Sequence, residues 1–455
     1  MKNLIYIVTD TLRADYIGAY GNTFIRTPRL DAFARRCVRF TKAHGEGLPT
    51  IPARRVFMTG REILPFDDTP PYKGVDPDLA GWRALSEEDV TLADYLRDKG
   101  YYNGLVSDLW HLFKPNMNFW RNFDTWDFIR GQERDQWIRG PKNKFNLFDY
   151  VPKHLIEKDM KKANAFLETY LQNTDWFRGE EDYFFARTVR SAIKWLENCR
   201  DRAPFHLYID TFDPHEVFDP PKQYAAMYYD KYPMERPLYG YGVDQAAITE
   251  EDRKWIHGLY CGKVTFVDTW FGYLLDAVER LGLMEDTVIC FTSDHGTEFY
   301  EHGHICKAES RLYETVTRIP LLLYVPGMDT KAGQAIDSLV SMVDIAPSLL
   351  RLMGVEPHER MTGRDLGKLI RGEAKEIRDH LVTGYGRSGA VRTHEWLFHC
   401  HAQPECKHSR GEKPATRQLF DLRKDPGEHI NVHAQHPDVA AKMHAWAREV
   451  WPNAV

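Results

Sequence analysis

GLPTIPARRVFMTGR, from Gly47 to Arg61, is the most informative stretch of this chain. Pro52 suits the first turn of a helix, where the N–H group that proline lacks would have no partner. Thr50 would then lie at the N-terminus of that helix, where free N–H groups and the helix dipole favour an anion. Arg54 follows one turn later and can direct a planar guanidinium at the same anion. The stretch therefore predicts a hydroxyl and a guanidinium that face a tetrahedral oxyanion.

Apolar runs elsewhere in the chain end in polar clusters. The predicted buried strands are Leu4–Thr9 before Asp10, Gly104–Ser107, Phe205–Asp210 before Asp213-Pro214-His215, Thr287–Thr292 before Ser293-Asp294-His295-Gly296, and Ile319–Val325. Strands that are apolar throughout are typical of parallel sheets, and doubly wound α/β proteins bind ligands at the carboxyl ends of such strands. We therefore expect the polar clusters to meet at one edge of a sheet.

Helical segments alternate with these strands. The predicted helices are Thr27–Arg36, Thr91–Lys99 behind a capping box of Ser86 and Asp89, Tyr183–Cys199, Glu250–Leu281 and Val343–Met353, and residues 113–150 are predicted to be a long packed loop. Alternation of strands and helices favours a doubly wound sheet. We predict an α/β fold, a three-layer αβα sandwich with a mostly parallel central sheet.

The pattern changes after about residue 378. Short strand-like pieces are followed by a turn at Asp425-Pro426-Gly427 and by a final helix over about Asp438–Trp451. Residues 1–378 are therefore predicted to form the catalytic α/β domain. Residues 379–455 are predicted to form a small C-terminal α+β subdomain with antiparallel strands and a terminal helix. A chain of 455 residues is long enough for this division.

Composition argues against several classes of partner. The formal net charge is -6, which provides no basic field for a nucleic acid. No apolar run reaches membrane-spanning length, and the first one, Leu4–Val8, is too short for a signal peptide. The seven scattered cysteines are an odd count, which favours reduced thiols. We predict a cytoplasmic protein without nucleic-acid or membrane partners, and leave open whether it forms a homo-oligomer.

The polar clusters contain the residue types of a metal-dependent hydrolase. They are Asp10-Thr11, Thr50 with Arg54, Asp213-Pro214-His215, and Asp294-His295 with Lys307 downstream. Carboxylates and imidazoles together suit a divalent cation. A metal bound to the Thr50 hydroxyl would lower its pKa and generate an alkoxide nucleophile. Arg54, His215 and Lys307 would hold the other oxygens of the anion and offset the charge that develops in the transition state.

These residues and their order resemble the sulfatase branch of the alkaline phosphatase superfamily. The matching motifs are Asp10-Thr11-Leu12-Arg13-Ala14-Asp15, Thr50-Ile51-Pro52-Ala53-Arg54, Thr59-Gly60-Arg61, Pro214-His215, Ser293-Asp294-His295-Gly296, His302-Gly303, Lys307, Ala390-Val391-Arg392-Thr393 and Leu422-Arg423-Lys424-Asp425-Pro426-Gly427-Glu428. The motifs span nearly the whole chain, so the resemblance does not depend on one short pattern.

The resemblance implies a role for each candidate site residue. One set would hold one divalent metal ion (Mn, Ca or Zn): Asp10, Thr50, Asp294 and His295. A second set would carry out catalysis: Thr50, Arg54, His215 and Lys307. A third set would contact the substrate, in the segment where the family has Gly-Lys-Trp-His: Asp108 and His111.

Three positions depart from the family pattern. Thr50 stands where the family oxidises a cysteine or serine to formylglycine, and threonine cannot be converted to that residue. Thr11 stands where many sulfatases have a second ligating aspartate. Asp108-Leu109 stands where sulfatases have Gly-Lys, which removes one positive charge from the pocket and adds a negative one.

The threonine changes the expected reaction. A formylglycine hydrate has one hydroxyl that attacks sulfur and a second that lets the adduct collapse. Thr50 has a single hydroxyl, so its adduct must be released by water, as phosphothreonine intermediates are. We predict a metal-dependent hydrolase that cleaves a small anionic ester, a phosphodiester or a phosphonate monoester, through Thr50. Two alternatives stay open: a sulfatase that uses Thr50, and a non-catalytic protein that binds an anion.

Other clusters have less specific interpretations. The cysteines and histidines between His399 and His408 permit a zinc site, although their spacing is not that of a standard ligand set. The segment 130–133, Arg-Gly-Gln-Glu, is either part of the substrate cleft or plain surface. His302 and His304 are either loop residues or contacts to the leaving group.

Overall fold

The computed structural model describes residues 2–67, 77–199, 201–328, 331–409 and 413–455. Its strands are β1 Asn3–Thr9, β2 Val38–His44, β3 Gly47–Leu48, β4 Tyr102–Ser107, β5 Thr125–Phe128, β6 Phe205–Asp210, β7 Thr287–Ser293, β8 Glu298–Phe299, β9 Ile305–Cys306, β10 Arg318–Tyr324, β11 Ala335–Ser341, β12 Leu381–Tyr385, β13 Ser388–Arg392, β14 Trp396–His401 and β15 Gln418–Asp421. Its α-helices are α1 Pro28–Ala34, α2 Thr50–Thr59, α3 Leu92–Asp98, α4 Trp110–Phe113, α5 Lys153–Ile156, α6 Met160–Thr174, α7 Phe184–Cys199, α8 Lys222–Ala225, α9 Glu250–Arg280, α10 Glu314–Thr317, α11 Ile345–Leu352, α12 Gly367–Arg371 and α13 Pro437–Val450.

The central sheet has eight strands in the order β11-β2-β10-β7-β1-β6-β4-β5. β10 is antiparallel to both of its neighbours, and the remaining pairs are parallel. All strands except β10 therefore run in one direction, and their carboxyl ends lie at one edge of the sheet. The predicted α/β fold with a mostly parallel central sheet is confirmed.

Both faces of the sheet are buried, as the apolar strands predicted. In β1, Ile5 and Ile7 belong to one apolar core, whereas Leu4, Tyr6 and Val8 belong to a second. Side chains of α1, α6, α7 and α9 pack into the first core, and those of α2, α3 and α11 into the second. The sheet therefore lies between two helical layers. Among the described residues, no helix is both long and apolar enough to cross a bilayer.

Several elements were missed from the sequence, among them strands β2 and β11 and helix α6. Polar residues interrupt the apolar ones in β2 and β11, so neither forms the continuous apolar run that identified the other strands. Helix α6 does have a recognisable signal, because its buried residues Ala163, Leu167, Tyr170 and Leu171 recur every three or four positions.

Two local predictions were also wrong. The capping box ahead of α3 is formed by Thr91 and Asp94, whose side chains and backbone N–H groups bond reciprocally. Ser86 and Asp89 instead close a turn, in which the Asp89 N–H donates to the Ser86 carbonyl at 3.1 Å. The predicted long loop over residues 113–150 is interrupted by β5, which pairs with β4 at the edge of the central sheet.

A second sheet has the order β15-β14-β13-β12-β3. Strands β12 to β15 form an antiparallel meander, and their apolar side chains pack against α13 around Phe398, Met443 and Trp451. β3 lies directly before α2 and adds to this sheet in parallel with β12. The second sheet therefore contains a strand from each side of residue 378, and the domain boundary at that residue stays a prediction.

The cysteines and the predicted zinc cluster can be located in this sheet. All seven cysteines are unpaired thiols. His399, Cys400 and His401 are successive residues of β14, so their side chains alternate between its two faces. Within the described ranges these residues do not converge on a common point as metal ligands must, and the zinc alternative is not supported.

Candidate active site

The metal ligands predicted from the sequence meet where β1, β6 and β7 end side by side. These strands are neighbours in the sheet, and Val8 in β1 is in register with Asp210 in β6. Asp10 follows β1, and Asp294 and His295 follow β7. One ligand atom from each of these three residues lies within 4.8 Å of the others, and all three residues are buried. The parallel topology thus creates the site that the sequence predicted.

His295 is oriented as a metal ligand. Its Nδ1–H donates to the Gly296 carbonyl at 2.8 Å, which leaves the lone pair of Nε2 free. Nε2 is buried without a hydrogen-bond partner, 3.5 Å from Asp294 Oδ2 and 3.7 Å from Asp10 Oδ1. Burial, reinforced by Lys307, lowers the pKa of His295 to about 3, so the ring is neutral. An unpartnered imidazole nitrogen between two carboxylates fits a divalent metal.

Arg54 does not face the cavity, contrary to its predicted role as an anion clamp. Its side chain is fully buried beneath Thr50, one helical turn away. Nε and Nη2 bind Asp210, with Nη2 at 2.9 Å from Oδ1. Nη1 binds Asp10 at 2.9 Å and also contacts Asp294. Because three carboxylates surround the guanidinium, Arg54 orders the metal ligands and has no nitrogen left for the substrate.

Asp210 is a functional residue that the sequence analysis missed. It lies at the end of β6 and is the carboxylate that Arg54 contacts with two of its nitrogens. Its position directly after an apolar strand was a usable signal, the same one that identified Asp10. Nothing in the sequence indicated that its partner would be an arginine 156 positions away.

The charges of this cluster are not balanced within the protein. Three ionised aspartates, Asp10, Asp210 and Asp294, would surround the single cation of Arg54. Burial disfavours ionisation of Asp10, but Arg54 and His215 hold its pKa well below the ordinary value. Burial and the neighbouring Asp10 raise the pKa of Asp294 well above its ordinary value. Three carboxylates around one guanidinium leave the cluster short of positive charge, so a divalent cation fits this site.

Thr50 is the first residue of α2 and lines a cavity of about 560 Å³. The residues that line it include the predicted catalytic residues His215 and Lys307 and the predicted substrate contact His111, together with Trp110, Phe212 and Tyr241. The N-terminus of α2 thus opens into the cavity, as the sequence predicted for an anion site. The structure brings Thr50, His111, His215 and Lys307 together around one space.

His215 and Lys307 form a contact pair in the cavity wall. Lys307 Nζ lies 2.7 Å from His215 Nε2, and the imidazole stacks on Phe212 with ring centres 3.9 Å apart. Lys263, from α9, donates to the His215 carbonyl at 2.8 Å and so fixes the loop after β6. Burial, together with Lys307, lowers the pKa of His215, so the ring is neutral and accepts from the ammonium. The pair carries one positive charge.

His111 lines the cavity as predicted, and it is paired with Glu133, from the segment 130–133 that the sequence analysis left as either substrate cleft or plain surface. His111 Nε2 lies 2.9 Å from Glu133 Oε2, and the indole N–H of Trp110 donates to the same oxygen at 2.8 Å. Burial opposes ionisation of Glu133, but His111 outweighs it and the pKa of the carboxyl falls well below its usual range. His111 Nδ1 is buried without a hydrogen-bond partner. The pair resembles the orienter and base of a proton-transfer dyad.

Asp108 does not contact the cavity, so its predicted role in substrate binding is wrong. Its Oδ2 accepts from the hydroxyls of Thr188 at 2.9 Å and Thr211 at 2.8 Å. Its Oδ1 accepts from the backbone N–H of Phe212 at 2.6 Å. Burial, with Asp213 nearby, raises the pKa of Asp108 to about 7. Asp108 therefore braces the loop that precedes His215 and adds no charge to the pocket.

Three candidate residues remain: Thr11, His302 and His304. Thr11 donates its hydroxyl to Asp10 at 2.7 Å and its N–H to Asp294 at 3.0 Å, so it orients two metal ligands. His304 lines the cavity, whereas His302 points away and bonds Glu298 at 2.6 Å.

Comparison with known proteins identifies the family of the chain. The family model described as "Sulfatase" matches residues 2–355. The chain belongs to the sulfatase family. A second model, described as "N-sulphoglucosamine sulphohydrolase, C-terminal", matches residues 301–450. The protein is therefore a hydrolase that acts on ester bonds, in a family whose enzymes bind a divalent metal and whose substrates are small anionic esters.

Individual relatives of this sulfatase-family chain include more than one named activity. An arylsulfatase of Clostridium perfringens is 26% identical over 94% of this chain and 90% of its own. A "multifunctional alkaline phosphatase superfamily protein", PehA of Trinickia caryophylli, is 25% identical over 98% of this chain and 94% of its own. The phosphonate monoester hydrolase of Agrobacterium radiobacter has the same fold, with a TM-score of 0.74 at 21% identity over 99% of this chain and 94% of that one.

Proposed function

We propose that this protein hydrolyses phosphodiesters or phosphonate monoesters with Thr50 as the nucleophile. The observation that carries the proposal is the position of a single hydroxyl, on the first residue of α2, in a cavity that also contains His111, His215 and Lys307. The formylglycine hydrate of sulfatases uses two hydroxyls to release sulfate, whereas Thr50 has only one. The reaction that suits one hydroxyl is displacement at phosphorus, followed by attack of water on the adduct.

One divalent metal ion belongs to the proposal. Asp10, Asp294 and His295 would hold it, and the Thr50 oxygen would complete the set. Such an ion lowers the pKa of a hydroxyl that it binds and offsets negative charge on the transferred group. Arg54 and Thr11 contribute by fixing the orientation of the two aspartates.

The first half-reaction transfers the phosphoryl or phosphonyl group to Thr50. Thr50 gives up its hydroxyl proton to solvent, and the bond from Thr50 Oγ to phosphorus forms as the bond to the leaving oxygen breaks. Lys307, hydrogen-bonded to His215, gives a proton to the leaving oxygen, which departs as an alcohol or phenol. Phe212 holds the imidazole ring in place by stacking.

The second half-reaction needs a base for water, and we assign this role to His111. Because its Nε2–H is directed at Glu133, the lone pair that would accept a proton from water is on its buried, unpartnered Nδ1. Water attacks phosphorus, the bond to Thr50 Oγ breaks, and the threonine oxygen regains a proton. Glu133 stabilises the imidazolium that forms.

The charge of the cavity favours esters with one negative charge. Arg54 is neutralised by aspartates, and Leu109 is buried where sulfatases have a lysine, so of the three residues predicted to hold the anion, Arg54, His215 and Lys307, only Lys307 brings a positive charge to the cavity. A phosphodiester, a phosphonate monoester and a sulfate ester each present a single charge. A phosphomonoester presents about two at neutral pH, and we expect it to be a poor substrate.

A sulfate-ester hydrolase that uses Thr50 is the second candidate. The family membership and the arylsulfatase relative favour it. PehA is named as a multifunctional member of the alkaline phosphatase superfamily, which is compatible with reaction at phosphorus, and a phosphonate monoester hydrolase shares the fold. The difference between the candidates lies in release of the adduct, which for a threonine sulfate would depend on attack of water at sulfur.

The nucleophile is tested by two substitutions assayed with a bis-aryl phosphate and an aryl phosphonate. Thr50→Ala should lower kcat/KM at least about a thousandfold, as expected when a nucleophile is removed. Thr50→Ser should retain activity within about tenfold, since it keeps the hydroxyl. Thr59→Ala is the matched control, because Thr59 lies at the other end of α2 and donates to the Arg55 carbonyl. An active Thr50→Ala enzyme would refute the proposal.

A further inference from the structure

Glu216 is a buried carboxylate that the proposed reaction does not yet use. It follows His215 in the loop after β6, is 1% exposed, and contributes to the cavity wall. Neither of its side-chain oxygens has a hydrogen-bond partner among the described residues. Burial of an ionised carboxylate without donors is costly, so the charge needs a counterpart nearby.

That counterpart is the pair formed by His215 and Lys307. Glu216 Oε2 lies 3.4 Å from His215 Nδ1, and Oε1 lies 3.8 Å from Lys307 Nζ. No other carboxylate among the described residues lies within 4.0 Å of either basic group. Burial opposes ionisation, but His215 and Lys307 lower the pKa of Glu216 to about 2. One negative charge therefore faces one shared positive charge.

We propose that Glu216 is a positioning residue, whose carboxylate keeps a proton on the Lys307–His215 pair until the leaving oxygen takes it. The inference rests on the proposed function in one respect, namely that this pair is the proton donor. In the step itself, an N–H bond of Lys307 breaks as an O–H bond forms, and the leaving oxygen keeps the electron pair of the bond that it loses. Lys307 is left neutral beside Glu216 and regains its proton from solvent.

The reason for such a carboxylate lies in the charge that the pair carries. His215 Nε2, 2.7 Å from Lys307 Nζ, accepts from the ammonium but brings no negative charge of its own. A buried positive charge is costly unless an opposite charge lies nearby. A carboxylate within 4 Å of both groups supplies that charge without occupying the nitrogen that faces the substrate.

Other titratable and charged groups near Glu216 come from several elements. They are Asp10 after β1, Glu133 from the segment after β5, Asp213 in the same loop, Tyr239, Lys263 in α9, His304, and Cys306 in β9. Lys263 contacts Asp213, and Glu133 is paired with His111, so each already has a partner. Burial and Glu216 raise the pKa of the Cys306 thiol, which is neutral. Glu216 thus remains the carboxylate matched to the pair.

The test is the pH profile of Glu216→Gln, which keeps the shape and removes the charge. The basic limb of kcat/KM reports loss of a proton from an essential acid of the free enzyme. We expect this limb to move to lower pH by about one to two units, the usual effect of losing an opposite charge at this distance. The assay uses whichever of a bis-aryl phosphate, an aryl phosphonate or an aryl sulfate the wild-type enzyme turns over.

Two variants serve as controls. Glu216→Asp keeps the charge and should keep most of the basic limb in its original position. Asp344→Asn removes another buried charge, that of a carboxylate paired with Arg378, whose Nε donates to Asp344 Oδ2 at 3.1 Å, and which lies outside the cavity. Its basic limb should match that of the wild type, which shows that loss of any buried charge is not enough.

Binding of inorganic phosphate gives a readout that does not depend on turnover. Measured by calorimetry from pH 6 to 10, affinity should fall as the pair loses its proton, and should fall at lower pH in Glu216→Gln. A variant whose basic limb and phosphate-binding profile both coincide with the wild type would overturn the proposal. So would a variant that loses activity equally at every pH, since that indicates a structural role. Failure of Thr50→Ala to lose activity would instead refute the proposed function and leave the binding test intact.

Discussion

The two sides of the cavity differ in the sign of their uncompensated charge. On the metal side, Arg54 is enclosed by Asp10, Asp210 and Asp294, and the cluster still lacks positive charge. On the other side, Lys307 and its neighbour His215 face the space above Thr50 with a positive charge available to an anion. Under the proposed function, the first side would hold a divalent cation and the second a monoanionic ester.

The metal side should be the more sensitive to loss of one ligand. Asp294→Ala removes a carboxylate from the cluster, and we expect it to lose the metal and at least about a thousandfold in kcat/KM, because metal stabilisation of transition-state charge is worth several kcal/mol. Elemental analysis of the purified proteins should find one divalent ion per wild-type chain and none in the variant. Two ions per chain, or full activity after exhaustive chelation, would contradict this account of the site.

The next largest effect should come from the arginine at the centre of the metal side. Arg54→Lys keeps a positive charge, but a single ammonium cannot contact three carboxylates through three nitrogens. We expect kcat/KM to fall by about two orders of magnitude and metal affinity to weaken with it. Arg55→Lys is the control, because Arg55 is the next residue of α2 and pairs with Asp89 at 3.0 Å away from the site. A near-wild-type Arg54→Lys enzyme would show that the metal ligands need no such support.

Substitution of Asp108 should have the smallest effect on activity, because Asp108 lies on neither side of the cavity. The folded protein retains a proton on Asp108 up to about pH 7, whereas the unfolded chain releases it near the ordinary value of 3.8. This group therefore makes the free energy of unfolding fall as the pH rises from 4 to 7. Asp108→Asn can keep its contacts, because the Thr188 and Thr211 hydroxyls can rotate to accept from the amide.

The prediction for Asp108→Asn is thus a flatter dependence of Tm on pH between 5 and 7, with KM unchanged. Thermal unfolding at several pH values and steady-state kinetics at one pH are sufficient to check it. A large rise in KM would restore Asp108 to the substrate-binding role that its position in the sequence suggested.

The metal ligands could be predicted from the sequence because each follows an apolar strand. Parallel strands bring such residues to one edge, and Asp10 and Asp294 needed no further information. The partner of Arg54 could not be predicted in this way, since it depends on β6 lying beside β1. A guanidinium at a helix N-terminus suits an anionic substrate and an anionic side chain equally well, and only the strand order decides between them.

The cavity wall was harder to predict than the metal site. Glu133 reaches His111 from an irregular segment with a backbone φ of +49°, and such segments have no periodic pattern to identify their inward-facing residues. Glu216 follows His215 directly in sequence, but only the folded structure places its carboxylate within 4 Å of both His215 and Lys307. Motifs located the catalytic residues, whereas packing determined which charges accompany them.

The most direct test of the central claim compares two esters with the unmodified Thr50 protein. The protein is expressed without any formylglycine-generating enzyme, loaded with a divalent metal, and assayed for multiple turnovers of a bis-aryl phosphate and an aryl sulfate with the same leaving group. We predict sustained hydrolysis of the phosphodiester and a slower rate, or a single turnover, with the sulfate ester. Multiple turnovers of the sulfate ester at a rate equal to or above that of the phosphodiester would contradict the assignment to phosphorus.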